Sequence, residues 1–316
     1  MSALPPYVVL GNLYDMLSAA QLSDVVMHNF CLEADPAKLQ AWLDKAFAEP
    51  SKGAVRYEAI GDRLFLSFAE IGKARGAGRE GGAKGYVGEI DTTVWLLARR
   101  VDDGLLALRW IPVYLFVDSG TAQATGREVW GFPKQIGRSR FSAQGPHPSA
   151  AREFSVDALV VDTFAPDSKA AYAPIFEARP RVGGATGETG GLLGSLKSLA
   201  ETAVGRLTSA FASITIPLQE ALGQGGMIMA MLKQFPDAVD PTKACYQGII
   251  EAQASINGFR GSGLTDVPYE VRVTSYASHP FLDELGLKPG WQEVGQGIWM
   301  DFDFEQHLGQ EIWRAG

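Results

Sequence analysis

Among the residues able to do chemistry in this chain, Lys134 has the most telling neighbours. It stands near the end of Gly126-Arg127-Glu128-Val129-Trp130-Gly131-Phe132-Pro133-Lys134-Gln135, where glycines and a proline separate large apolar side chains. A lysine amine attacks a carbonyl carbon only when neutral, and at an ordinary pKa of about 10.4 roughly one molecule in a few thousand is neutral at pH 7. Burial lowers a lysine by up to about 3–5 units, so a dry wall alone can activate it. Trp130, Phe132 and Pro133 are of the type to build such a wall.

These ten residues resemble the signature of the acetoacetate decarboxylase superfamily, which reads roughly G-R-E-x-x-G/A-F/Y-P-K-K, its first lysine forming a Schiff base. The match runs from Gly126 to Lys134 and ends at Gln135, where decarboxylases of the family have a second lysine. Those decarboxylases also place an arginine just before an early strand; the corresponding stretch here, Asp24-Val25-Val26-Met27, has none. The resemblance further implies that Glu58, in Val55-Arg56-Tyr57-Glu58, and Glu89, in Gly85-Tyr86-Val87-Gly88-Glu89, face the active-site cavity. Spacing alone makes Glu58 a solvent-facing strand residue. Trp130, Phe132, Gln135 and Arg127 are the expected pocket neighbours of Lys134. Two carboxylates beside one lysine could move protons to and from a carbinolamine and an enamine. An ionised carboxylate also favours the ammonium, so desolvation must outweigh it, or the carboxylates must be protonated or set back.

The elements that would position these groups are mostly strands. Asp35 suits a helix N-cap and Pro36 the first helical position, with Leu39, Trp42, Leu43 and Ala46 on one face. Asn29–Ala34, residues 55–60 and 63–71 around a Gly61-Asp62 turn, 94–101 and 105–117 around Asp102-Asp103-Gly104, 138–143 and 153–163 all have strand character. Residues 227–235, 245–256, 269–276 and 297–304 continue the pattern. Gly72–Gly85 reads as a glycine-rich loop whose Lys73, Arg75, Arg79 and Lys84 could attract an anionic substrate to the pocket mouth. Leu192, Leu196, Leu199, Ala203 and Leu207 recur at helical spacing within an insertion at about 183–226. His147 reads as exposed loop and His279, before Pro280, as structural.

Composition bounds the rest. A hydrophobic fraction of 46% with 20% charged residues is that of an ordinary globular protein, and a net charge of −8 argues against a nucleic-acid surface. Cys31 and Cys245 match no metal or redox spacing and read as free thiols. No metal or other cofactor is expected. No signal peptide or membrane-spanning run is evident, so a cytoplasmic location is the expectation.

The fold expected is mainly β, of the α+β kind: one domain over residues 1–316, closed as the family implies into an antiparallel barrel or cone with peripheral helices. Strand spacing by itself leaves barrel and sandwich open. The expected function is a Schiff-base-forming lyase, a homo-oligomer acting on a small keto acid by decarboxylation or aldol and dehydration chemistry. The alternative is a non-catalytic β-barrel binding a small apolar or keto ligand.

Overall fold

The computed structural model describes residues 4–8, 18–103, 108–143, 145–181 and 226–316. Alternating apolar residues build eleven strands into one sheet: β1 (Ala20–Glu33), β2 (Tyr57–Gly76), β3 (Val87–Arg100), β4 (Leu108–Val117), β5 (Lys134–Phe141), β6 (Phe154–Val160), β7 (Ala171–Pro180), β8 (Met227–Pro236), β9 (Ala244–Val273), β10 (Gly290–Gln306) and β11 (Gln310–Arg314). Short helices α1 (Pro36–Leu43), α2 (Gly78–Gly82), α3 (Gly120–Thr125) and α4 (Phe281–Leu285) lie between them. Among the described residues 58% are strand and 14% helix, so the class is mainly β.

The sheet closes into a ring because the long β9 pairs with both β7 and β10, joining the two ends of the order β10-β1-β2-β3-β4-β5-β6-β7-β9. Strand β8 pairs with β9 and touches β4 through Trp110 and Met229, so it divides the ring. Most pairings are antiparallel; β5 and β8 run parallel to β4.

Because successive strand side chains point to opposite faces, each long strand serves two interiors. In β2 and β3, Leu64, Leu66, Phe68, Val94, Leu96 and Ala98 join the main core. Their neighbours Phe65, Ser67, Ala69, Glu89, Asp91 and Thr93 line a cavity on the other face. A bulge in β1 between Leu22 and Val25 keeps both residues on the cavity side. Phe154 anchors the main core, stacked on Phe68 at 4.8 Å between ring centroids and edge-on to Phe30 and Phe141.

Helix α1 begins as its sequence dictates: the Asp35 carboxylate accepts from the Ala37 N–H at 2.9 Å, and Leu39 and Leu43 are buried. Several boundaries differ from the sequence reading. Strand β1 starts at Ala20, earlier than Asn29, because pairing to β2 and β10 extends it. Residues 57–76 form one strand with an irregular register between Ala59 and Leu64, where a turn at Gly61-Asp62 was expected. The glycine-rich segment is the end of β2 followed by α2, and Lys73 is held by Asp24 at 2.9 Å. Strand β7 had no expectation. The insertion helix falls outside the described residues. Among the described residues, no helix is long and apolar enough to cross a membrane.

Phe154 is 2% exposed, so Phe154→Ala is expected to lower unfolding free energy by about 3–5 kcal/mol in urea titration. A loss under about 1 kcal/mol would mean that this aromatic cluster does not anchor the core.

Candidate active site

Lys134 owes its position to a sequence of local constraints. Helix α3 widens into a π-helical turn over Gly126–Trp130, a form that accommodates one extra residue per turn. Gly131 ends it in the left-handed region at φ 85°, its N–H donating to the carbonyls of Gly126 and Arg127 at 3.1 Å. A Cβ on Gly131 would also lie 2.5 Å from the Lys233 Cβ, so both conformation and space require glycine. Pro133 keeps Phe132 extended, and β5 starts at the next residue, Lys134. The lysine stem lies against Gly126, where an added Cβ would sit 2.6 Å from the Lys134 Cδ. Three residues of the signature thus have steric reasons for being where they are.

Parallel pairing sets Lys134 beside Leu115 of β4, and Leu115 pairs in turn with Thr93 of β3. The lysine side chain reaches over β4 towards the column Glu89, Asp91, Thr93 that β3 turns to the same face. Its Nζ lies 3.5 Å from Glu89 Oε1 and 3.8 Å from Asp91 Oδ2. Lys134 is 8% exposed and Glu89 6%. Asp91 Oδ1 is buried without a hydrogen-bond partner.

The cavity around this triad has a volume of about 180 Å³. Its walls come from β1, β2, β3, β4, β8, β9 and β10, from α3, and from the turn that carries Trp130 and Phe132. Asn29, Ser67 and Gln306 supply uncharged polar groups; the Ser67 hydroxyl donates to Asn29 Oδ1 at 2.5 Å. Most of the remaining surface is aliphatic or aromatic.

Burial alone pulls Lys134 down, and it is the largest single influence on this amine. Asp91 and Glu89 together outweigh it, and the net direction is up, which favours the ammonium. Asp91 bears the opposite strain: burial pushes its carboxyl up to about 7, Glu89 adds to that, and Lys134 holds it down. A carboxyl titrating near neutrality beside an ammonium is an acid–base pair that can exchange one proton in place.

Trp130 and Phe132 line the cavity; Gln135 and Arg127 do not. Gln135 follows Lys134 on a strand and so faces the other way, its Oε1 accepting from His279 Nε2 at 3.0 Å. Arg127 is exposed and donates to the Lys134 carbonyl at 3.4 Å. Glu58 is exposed on β2, paired with Arg99, and absent from the cavity wall. The irregular register after Ala59 separates it from the segment of β2 that reaches the cavity. The second carboxylate near Lys134 is that of Asp91. The sequence held a signal for it: if Glu89 faces a cavity from a strand, Asp91, Thr93 and Trp95 must face it too.

No protein-family model matches the sequence, and no curated protein does. Solved structures share the fold. Acetoacetate decarboxylase from Legionella pneumophila subsp. pneumophila str. Philadelphia 1 matches with a TM-score of 0.59 at 14% identity, with 100% of this chain and 99% of that one covered. An acetoacetate decarboxylase-like enzyme from Sphingomonas wittichii RW1 matches at 0.59 and 11% identity, covering 99% and 100%. The enduracididine biosynthesis enzyme MppR, complexed with pyruvate, matches at 0.55 and 14% identity, covering 94% and 90%. The fold is therefore that of acetoacetate decarboxylase and its relatives, at identities that set this chain far from each of them.

Two outcomes are expected from this geometry. Because the folded-state value of Asp91 lies above its ordinary 3.8, ionised Asp91 costs stability, a cost absent near pH 4 and complete above about 7. Asp91→Asn should gain about 1–3 kcal/mol over the parent in urea unfolding at pH 8 and lose that advantage by pH 4. The raised Lys134 value acts only in the alkaline range, outside this window. An advantage equal at both pH values would count against a raised Asp91. Separately, Gly126→Ala should fold with little loss, since the atoms it meets belong to a flexible stem, yet swing the amine out of place; reductive trapping of a ketone on residue 134 should fall by about tenfold or more.

Proposed function

We propose that this protein is a Schiff-base-forming lyase in which Lys134 condenses with the carbonyl carbon of a small keto compound. The observation that carries this reading is one buried amine facing an apolar cavity with two carboxylates within 3.8 Å. The Lys134 ammonium first passes a proton to Asp91. In a dry cavity the resulting neutral pair competes well with the ion pair, because desolvation penalises both charges. Nζ then attacks the carbonyl carbon, the carbonyl electron pair moves to oxygen, and that oxygen takes a proton from Asp91. Loss of water, with Glu89 or Asp91 managing the proton, gives the protonated imine.

The imine draws electrons. In a β-keto acid, the bond to the carboxylate breaks, carbon dioxide leaves, and its electron pair forms an enamine. In the other direction, a carboxylate removes the proton beside the imine, and the enamine carbon attacks an aldehyde whose oxygen is protonated and later lost as water. Water finally hydrolyses the imine and frees the lysine. The solved structures of similar fold support both branches: two are named acetoacetate decarboxylase, and MppR is described with the condensation product of pyruvate and imidazole 4-carboxaldehyde.

The raised affinity of Lys134 for its proton favours a second reading, a cavity that binds a carbonyl ligand without turning it over. Borohydride reduction separates the two. Incubation with a ketone or keto acid panel and borohydride should add the reduced adduct to the peptide containing Lys134, and Lys134→Ala should abolish the adduct. Asp91→Asn should slow its formation by about 10²–10⁴-fold. A parent protein that binds a carbonyl compound of the panel yet yields no adduct overturns the Schiff-base reading in favour of the second.

A further inference from the structure

The charges on the cavity wall bear on what the amine meets, given that Lys134 forms an imine at all. Among the described wall residues, the charged side chains are Lys134, Glu89 and Asp91. The cation is already engaged by both carboxylates, so the wall carries no positive charge to spare and an excess of negative charge when Asp91 is ionised.

Several of the neutral donors on the wall are engaged as well, the Ser67 hydroxyl by Asn29 among them. Asn29 Nδ2 donates to the Ile298 carbonyl at 3.3 Å, and Gln306 Nε2 to the His307 carbonyl at 3.2 Å. The Ala122 N–H, at the start of α3, donates to the Ser119 hydroxyl at 3.3 Å. Arg127 is exposed and directed to the Lys134 backbone, and Lys73 is tied to Asp24. A carboxylate in a low-dielectric site needs a cation or several donors, and a like charge beside it is repulsive.

What the wall offers instead is apolar surface. Beyond Asp91, β3 continues to Trp95, about 13 Å further along at strand rise, where Trp95 and Trp110 meet edge to face with centroids 6.3 Å apart. Phe65 lies 5.5 Å from Trp110, and Phe302 stacks on Phe304 at 5.7 Å. Together these rings make a broad apolar wall whose fit is to a hydrophobic body.

We infer that the cavity takes an uncharged, apolar aldehyde or ketone rather than a free keto acid, its carbonyl at Lys134 and its alkyl or aryl body against the Trp95–Trp110 wall. This inference rests on the Schiff-base reading and narrows its substrate. With no carboxylate to lose, the bond made or broken at the imine joins the carbon beside it to a second carbonyl carbon, as in aldol addition and its reverse. The enamine carbon donates the electron pair, and the aldehyde oxygen takes its proton from a cavity carboxyl.

The test uses 5-oxohexanoate and its methyl ester, which carry the same ketone and differ in charge at the far end, with 4-phenylbutan-2-one added for apolar bulk. Binding to the full chain is read by quenching of tryptophan fluorescence, and imine formation by borohydride adducts on the Lys134 peptide. The ester and the aryl ketone should half-saturate at concentrations at least about tenfold below the acid, and Asp91→Asn should narrow that gap. Equal or tighter binding of the acid, binding of none of the three, or a gap unmoved in Asp91→Asn overturns the inference. Neutral ketones that bind selectively without labelling Lys134 uphold the substrate class and sink the Schiff-base reading. Equal labelling by all three does the reverse.

Discussion

One lysine between two carboxylates, closed in among apolar side chains, is the constraint around which the rest of this molecule is arranged. Removing an ion from water costs several kcal/mol even after the protein relaxes, and here three ionisable groups share one small space. Pairing makes their burial tolerable but leaves it unbalanced. Asp91 has an oxygen with no partner, while Lys134 and Glu89 satisfy each other only at 3.5 Å. Glu251, elsewhere in the sheet, is a useful contrast. It receives the Tyr57 hydroxyl at 2.8 Å and is ion-paired with Arg109 at 2.9 Å and with Arg100 at 3.4 Å. Both oxygens of Glu251 have partners, whereas Asp91 has one without, and an under-satisfied buried acid near neutrality is one that can give and take a proton.

Holding the triad in place requires a wall rigid on its outer side. The closed ring supplies this, because the strands that line the cavity bury their alternate residues in the main aromatic and aliphatic core. Asp91 is flanked in sequence by Ile90 and Thr92, and Thr92 is fully buried on the opposite face. Displacing the carboxylate would therefore disturb packing on both sides of β3. The lysine is fixed differently, by the tight turn at Gly131 and by close contact of its stem with Gly126. Its stem is confined by that contact, and its ammonium lies between Glu89 and Asp91.

The two departures from the decarboxylase pattern have unequal consequences. Gln135 replaces a lysine, yet a residue next to Lys134 on a strand cannot share its cavity, and here it joins His279 on the other face. That replacement takes nothing from the cavity wall. The missing arginine is different in kind, since Val25 and Met27 occupy the wall in that stretch and contribute only apolar surface.

Much was legible in the sequence because it depends on neighbours along the chain. Alternating apolar residues dictated strands, Asp35-Pro36 dictated a helix start, and the run from Gly126 to Lys134 singled out the amine together with the turn that presents it. Other features depend on which strands meet, and pairing is a long-range choice that local pattern does not encode. The resemblance placed both Glu58 and Glu89 in the cavity while spacing alone placed Glu58 in solvent; the irregularity after Ala59 leaves Glu58 with Arg99 in solvent and Glu89 lies beside Lys134. Asp91 could be inferred only once the facing of Glu89 was known. The protonation state of Lys134 was beyond any local reading: burial and ion pairing act on it in opposite directions, and their balance is set by distances across β4 that exist only after the ring closes.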